Sequence, residues 1–166
     1  MPALTITTRY RSPAMLSTTT PSAIPVSEEL DEQIRELCER WRAHEPVVDN
    51  LVERVDALLT WGADWPDYDA GPPTAATVGQ ARDWIKRLYL DVVTNGRTWI
   101  DPLVTASEEG EAMFEWQIGG RRLTIEVTGA GVCYSKISGT PPNLQFEEGQ
   151  ADTRQRRESL WSWLNG

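Results

Sequence analysis

Three aspartates, Asp64, Asp67 and Asp69, stand close together in the stretch Trp65-Pro66-Asp67-Tyr68-Asp69-Ala70-Gly71-Pro72-Pro73. Carboxylates at alternate positions can hold a divalent cation, and a cation there would support a metal-dependent hydrolase or nuclease. A calcium loop of the EF-hand type also needs a glutamate at its twelfth position. This stretch runs instead into Pro72-Pro73, and no glutamate stands in place. Read as structure, the loop motif Trp65, Asp67, Tyr68, Asp69 and Gly71 is a tight connector: Trp65 and Tyr68 pin it to the core, Asp69 caps a turn, and the prolines launch the next helix. Paired carboxylates tuned for acid–base work need an apolar pocket, and none is implied here.

His44 is the one histidine, so it alone could act as an unperturbed base near neutral pH. It stands on an apolar helical stripe, where a lone polar residue sets register or partner choice. Cys38 is six residues away and on a different helical face, which separates a cysteine–histidine pair. No G-x-S-x-G elbow, G-x-G-x-x-G fingerprint or Walker pattern occurs, so no catalytic or cofactor-binding residue is assigned. The two cysteines, Cys38 and Cys133, form no CxxC and no Cys/His cluster. That usage fits a reducing cytosol and argues against a zinc site.

Arg154, Arg156 and Arg157 precede Trp161 and Trp163, and Arg9 and Arg11 open the chain. Bases interleaved with aromatics are one way to hold single-stranded nucleic acid. The whole chain, however, carries a net charge of −9, which repels a phosphate backbone. An acidic body instead suits a basic protein partner. No window has the roughly 18 apolar residues of a membrane span, and no basic-then-apolar signal peptide opens the chain.

The elements that must position these residues follow from periodicity. Leu4, Ile6 and Tyr10 alternate with polar residues, which predicts a strand over 3–10 within an arm and linker of residues 1–26. Ser27 then caps a helix, with Glu28 and Glu29 at its positive end. Leu30, Ile34, Leu37, Trp41, His44, Val48, Leu51, Val55 and Leu58 step by four and three without a slip. This heptad stripe predicts one long helix over 27–61, kinked at Pro46. It is longer than a small core can cover. Leu30, Ile34, Leu37, Trp41, His44, Val48 and Leu51 are therefore the candidate partner interface.

Residues 62–166 read as a helix-on-sheet unit. Thr74 caps a helix to residue 94, with Val78, Ala81, Ile85, Leu88 and Val92 inward. Residues 103–138 read as an antiparallel meander of three to four strands. Gly119-Gly120 is its hairpin turn, placing Trp116 opposite Leu123, Phe114 opposite Ile125 and Met113 opposite Glu126. Pro141-Pro142 would end the sheet, and Asp152 would cap a short last helix. The class is α+β, with helices on one sheet face.

The stretch Trp65–Pro72 and the hairpin Phe114–Arg121 together resemble a family of small, uncharacterised bacterial proteins. In that family a W-D-G-Y-G-A-x-P stretch also precedes a helix and then a hairpin. The resemblance covers residues 58–137. Here Pro66 and Asp67 replace D-G, and Asp69 replaces the second glycine. The resemblance implies a bacterial origin and a binding role, and it carries over no functional residue.

Together these features point to a non-enzymatic, cytoplasmic interaction protein, with a second protein or its own copy as partner. The acidic body suits the neutralising, antitoxin-like half of a toxin–antitoxin or defence pair. The competing expectations are the metal-dependent hydrolase at Asp64, Asp67 and Asp69, and a nucleic-acid binder using the arm and the last helix.

Overall fold

The computed structural model describes residues 28–60 and 71–166. The expected strand over 3–10, the Ser27 cap, Arg9, Arg11 and the residues Asp64–Asp69 lie outside the described residues. The chain divides into two compact units, Met1–Cys38 and Glu39–Gly166.

Helix α1 spans Glu28–Asp56 and contains Pro46. The helix is assigned continuously through that proline, as the unbroken heptad phase predicts. At 1.5 Å per residue it is about 43 Å long. A 3-10 turn, Ala57–Thr60, ends it. Leu51, Val55 and Leu58 are buried in the core of the second unit. The helix-on-sheet unit expected from residue 62 therefore takes in the last turns of α1.

Helix α2, Ala75–Thr94, starts where Thr74 accepts a hydrogen bond from the Thr77 amide at 3.1 Å. That bond satisfies one of the amides left unpaired at a helix start. Asn95 and Gly96 stop the helix, with Gly96 in the left-handed region at φ 67°. Its stripe of Val78, Ala81, Ile85, Leu88 and Val92 is fully buried, as periodicity requires.

Five strands follow: β1 (Leu103–Ala106), β2 (Ala112–Ile118), β3 (Arg121–Thr128), β4 (Gly131–Ser138) and β5 (Gln145–Gln150). They form one antiparallel sheet in chain order. The β2–β3 register places Ile118 opposite Arg121, Trp116 opposite Leu123 and Met113 opposite Glu126. This is the register that the Gly119-Gly120 turn and the alternating apolar residues predict. A one-residue slip would turn Phe114 and Trp116 into solvent.

The sheet does not end at Pro141-Pro142. Those prolines lie in the connection to a fifth strand, where the Asn143 amide donates to the Thr140 carbonyl at 2.8 Å. β5 was hidden from pattern reading because it buries no alternating apolar side chains. Helix α3, Arg154–Asn165, is capped by Thr153 rather than Asp152. The Thr153 hydroxyl accepts from the Arg156 amide at 3.2 Å, while the Asp152 carbonyl accepts from Arg157 at 2.9 Å.

α2 and α3 cover one sheet face. Trp84 stacks on Phe114, their rings 5.8 Å apart, and its indole N–H donates to the Ala151 carbonyl at 2.9 Å. Trp161 stacks on Trp99 at 5.1 Å and meets Trp116 edge-on at 5.9 Å. The tryptophans on this face are thus core anchors. The opposite sheet face, including Met113, Glu115, Thr124, Glu126, Cys133 and Ser135, is only partly covered.

Candidate interaction surfaces

The first surface belongs to the opening turns of α1. Leu30, Ile34 and Leu37 occupy one helix face and remain 47, 50 and 50% exposed. Arg35 and Glu32 form an ion pair one turn apart on this segment. Large apolar side chains that face water at heptad spacing carry a hydration cost that association would relieve.

The expected interface residues that follow divide between surface and core. Trp41 is exposed, and its ring meets His44 edge-on at 6.0 Å. His44 is half-buried, and its Nδ1 lies 2.6 Å from the Tyr89 hydroxyl on α2. Burial, then the negative charge of Asp101, pushes the Tyr89 phenol above its ordinary range. The Tyr89 hydroxyl and His44 Nδ1 share this hydrogen bond. His44 thus ties α1 to α2, and its polarity is used inside the protein. Val48 is half-buried against the core. Leu51 is 1% exposed, so the reading of Leu51 as partner interface is corrected: it is a core residue.

Of the connector singled out for its acids, Trp65, Asp67, Tyr68 and Asp69 lie outside the described residues. Its end is described. Gly71 and Pro72 approach the β1–β2 turn, where a Cβ on Gly110 would meet the Gly71 carbonyl oxygen at 3.2 Å. Gly110 also has φ 77°, so glycine is needed there both for backbone freedom and for this approach. Among the described residues, no three His, Cys, Asp or Glu side chains converge to hold a metal ion.

The arginine cluster is engaged internally. Arg157 is buried and donates to Asp91 on α2 at 2.7 Å. Arg154 lies 2.9 Å from Glu158 and 3.3 Å from Asp91. Arg156 sits over the Tyr134 ring at 5.4 Å. Trp163 lies under Arg121 and Lys136. Arg157 locks α3 onto α2, while Arg154 and Arg156 remain exposed on the helix surface.

Two features escaped sequence reasoning. One is a carboxyl pair on the partly covered sheet face. A hydrogen bond that the protonated Glu126 donates to Glu111, then partial burial and the charges of Glu111 and Glu109, push Glu126 up to about 7. The β2–β3 register placed Glu126 on this face, but the approach of Glu111 depends on the Ser107–Gly110 turn. The other is the exposed strand β5. Phe146 is 62% exposed, and every β5 residue except Gly149 is open to solvent. Cys38 is exposed and Cys133 half-buried, both as free thiols.

Comparison with family models, with curated proteins and with solved structures finds no match. No helix among the described residues is long and apolar enough to cross a membrane.

Proposed function

We propose that this chain is a non-enzymatic bacterial protein-interaction module that engages a second protein through the opening turns of α1. The supporting observation is the exposed row Leu30, Ile34 and Leu37, in heptad phase with buried Leu51, Val55 and Leu58. A helix stripe that is core at one end and open at the other is suited to docking a second apolar surface. Full burial of a leucine or isoleucine is worth roughly 1.5–3 kcal/mol. Burying the open halves of these three side chains therefore supplies about 2–4 kcal/mol, or one to three decades of affinity. The acidic body, with its net charge of −9, favours a basic partner, as in the antitoxin-like half of a toxin–antitoxin or defence pair.

The test is association measured by light scattering after size exclusion, with affinity capture from the host. Ile34→Glu combined with Leu37→Glu is expected to weaken the complex at least tenfold and to leave the thermal midpoint of the core unchanged. A strictly monomeric chain that captures no partner would overturn the reading.

A further inference from the structure

We infer that the free edge of β5 accepts an extended, basic segment of a partner protein as a sixth strand. This surface is separate from the α1 row and does not rest on it. β5 stands last in the sheet order, so among the described residues one side of its backbone has no strand beside it. The Ala151 amide donates to the Val132 carbonyl at 2.8 Å, which makes Val132 and Ala151 a hydrogen-bonded pair. Antiparallel pairs alternate between bonded and non-bonded. Counting back from Ala151, the N–H and C=O groups of Phe146, Glu148 and Gln150 therefore point away from β4. They form a ready ladder for strand addition.

The edge is held in place before any ligand arrives. Glu147 accepts a hydrogen bond from the Tyr134 hydroxyl at 2.7 Å and pairs with Lys136 at 2.8 Å. A Cβ on Gly149 would meet the Tyr134 ring at 3.0 Å, so the glycine lets that ring lie close against the strand. These contacts act from the covered sheet face and leave the outer edge clear.

Charge selects the occupant. The stretch Asn143–Ala151 contains Glu147 and Glu148 and no basic residue. Glu147 is paired, but Glu148 has no ion-pair partner among the described residues. Glu148 borders a shallow cleft of about 370 Å³ that Glu126, Cys133 and Gln150 also line. Phe146 lies two residues away on the same sheet face. An incoming strand with a lysine or arginine beside Glu148, and an apolar residue two positions along, satisfies both.

A second copy of the chain fits this edge poorly. Two-fold registers that use the whole strand centre on Glu147 or Glu148, and so set a glutamate directly opposite itself. Like charges in that position are destabilising.

The experiment uses the full chain and two capped eight-residue probes. One is Val-Thr-Lys-Thr written twice, and the other has glutamate in place of lysine. Amide hydrogen exchange is followed by NMR. The lysine probe is expected to slow exchange at Phe146, Glu148 and Gln150 at least tenfold, and the glutamate probe to leave it unchanged. Glu148→Lys, on an exposed side chain, is expected to reverse that preference, whereas Leu37→Glu is expected to leave it intact. The inference is overturned if neither probe protects these amides at millimolar concentration, or if both protect them equally. It is also overturned if they become protected in concentrated protein without a probe, since a second copy would then be the occupant.

Discussion

Three tryptophans share the covered face of the sheet, and they differ in one respect that mutation can isolate. The indole N–H of Trp84 donates to Ala151 at 2.9 Å, and that of Trp116 donates to Ile100 at 2.8 Å. The N–H of Trp161 is buried with no acceptor among the described residues. Replacing each in turn by phenylalanine removes a similar volume, at a shared cost of about 1–2 kcal/mol for lost contacts and residual space. The hydrogen-bonding consequences diverge. At Trp84 the change also leaves the buried Ala151 carbonyl without its side-chain donor, which costs about 1–2 kcal/mol more. At Trp161 it abolishes an unpaired buried donor, so that cost is absent and part of the volume loss is recovered. Trp161→Phe is thus expected to be milder than Trp84→Phe by about 1–3 kcal/mol, with Trp116→Phe between them. For a domain of this size, 1 kcal/mol moves the thermal midpoint by roughly 2–4 °C. Calorimetry should therefore separate the two variants by several degrees, and urea melts should give the same order. If Trp161→Phe proves as damaging as Trp84→Phe, hydrogen-bond accounting does not govern this core.

Four further outcomes follow from the geometry. Asp91→Leu strands the buried Arg157 guanidinium and is expected to cost about 3 kcal/mol in a urea melt, whereas adding Arg157→Leu recovers part of that loss. Glu126 is held protonated more readily in the folded chain than in the unfolded one, so its contribution favours folding at low pH. That contribution fades as pH rises from the ordinary glutamate range through about 7. Because solvent screens this partly open pair, the expected loss is about 1 kcal/mol, and Glu126→Gln should remove it from a plot of stability against pH. Ile34→Glu with Leu37→Glu should separate association from folding, as set out for the α1 row. Exchange protection of the β5 amides by a basic strand, and its reversal in Glu148→Lys, completes the set.

The legible parts of this fold are those where a local pattern and a tertiary need coincide. The α2 stripe and the β2–β3 register could be read because each apolar residue there meets the same dense core that its period implies. Thr74 could be read as a cap because its hydroxyl has one obvious task. β5 could not, because an edge strand with its side chains in solvent leaves no alternation to find. The α3 cap went to Asp152 on propensity, since choosing between adjacent Asp152 and Thr153 requires knowing where the helix turns. Among the interface candidates, the heptad phase alone could not say where along α1 the core begins. That depends on where α2 and the sheet reach the helix, as Leu51 at 1% exposure records. The role of His44 depended on a tyrosine 45 residues away.

The order of the sheet has a consequence for how the chain is made. Each strand pairs only with its neighbours in sequence, so the meander can assemble hairpin by hairpin as it emerges, with short loops to close and little search. α3 is synthesised after all five strands, yet it supplies Leu160, Trp161 and Leu164 to the core. Between those two moments Trp99 and Trp116 have no Trp161 to pack against. A sheet paired before α3 docks would leave these indoles uncovered, and that is the surface a chaperone would hold.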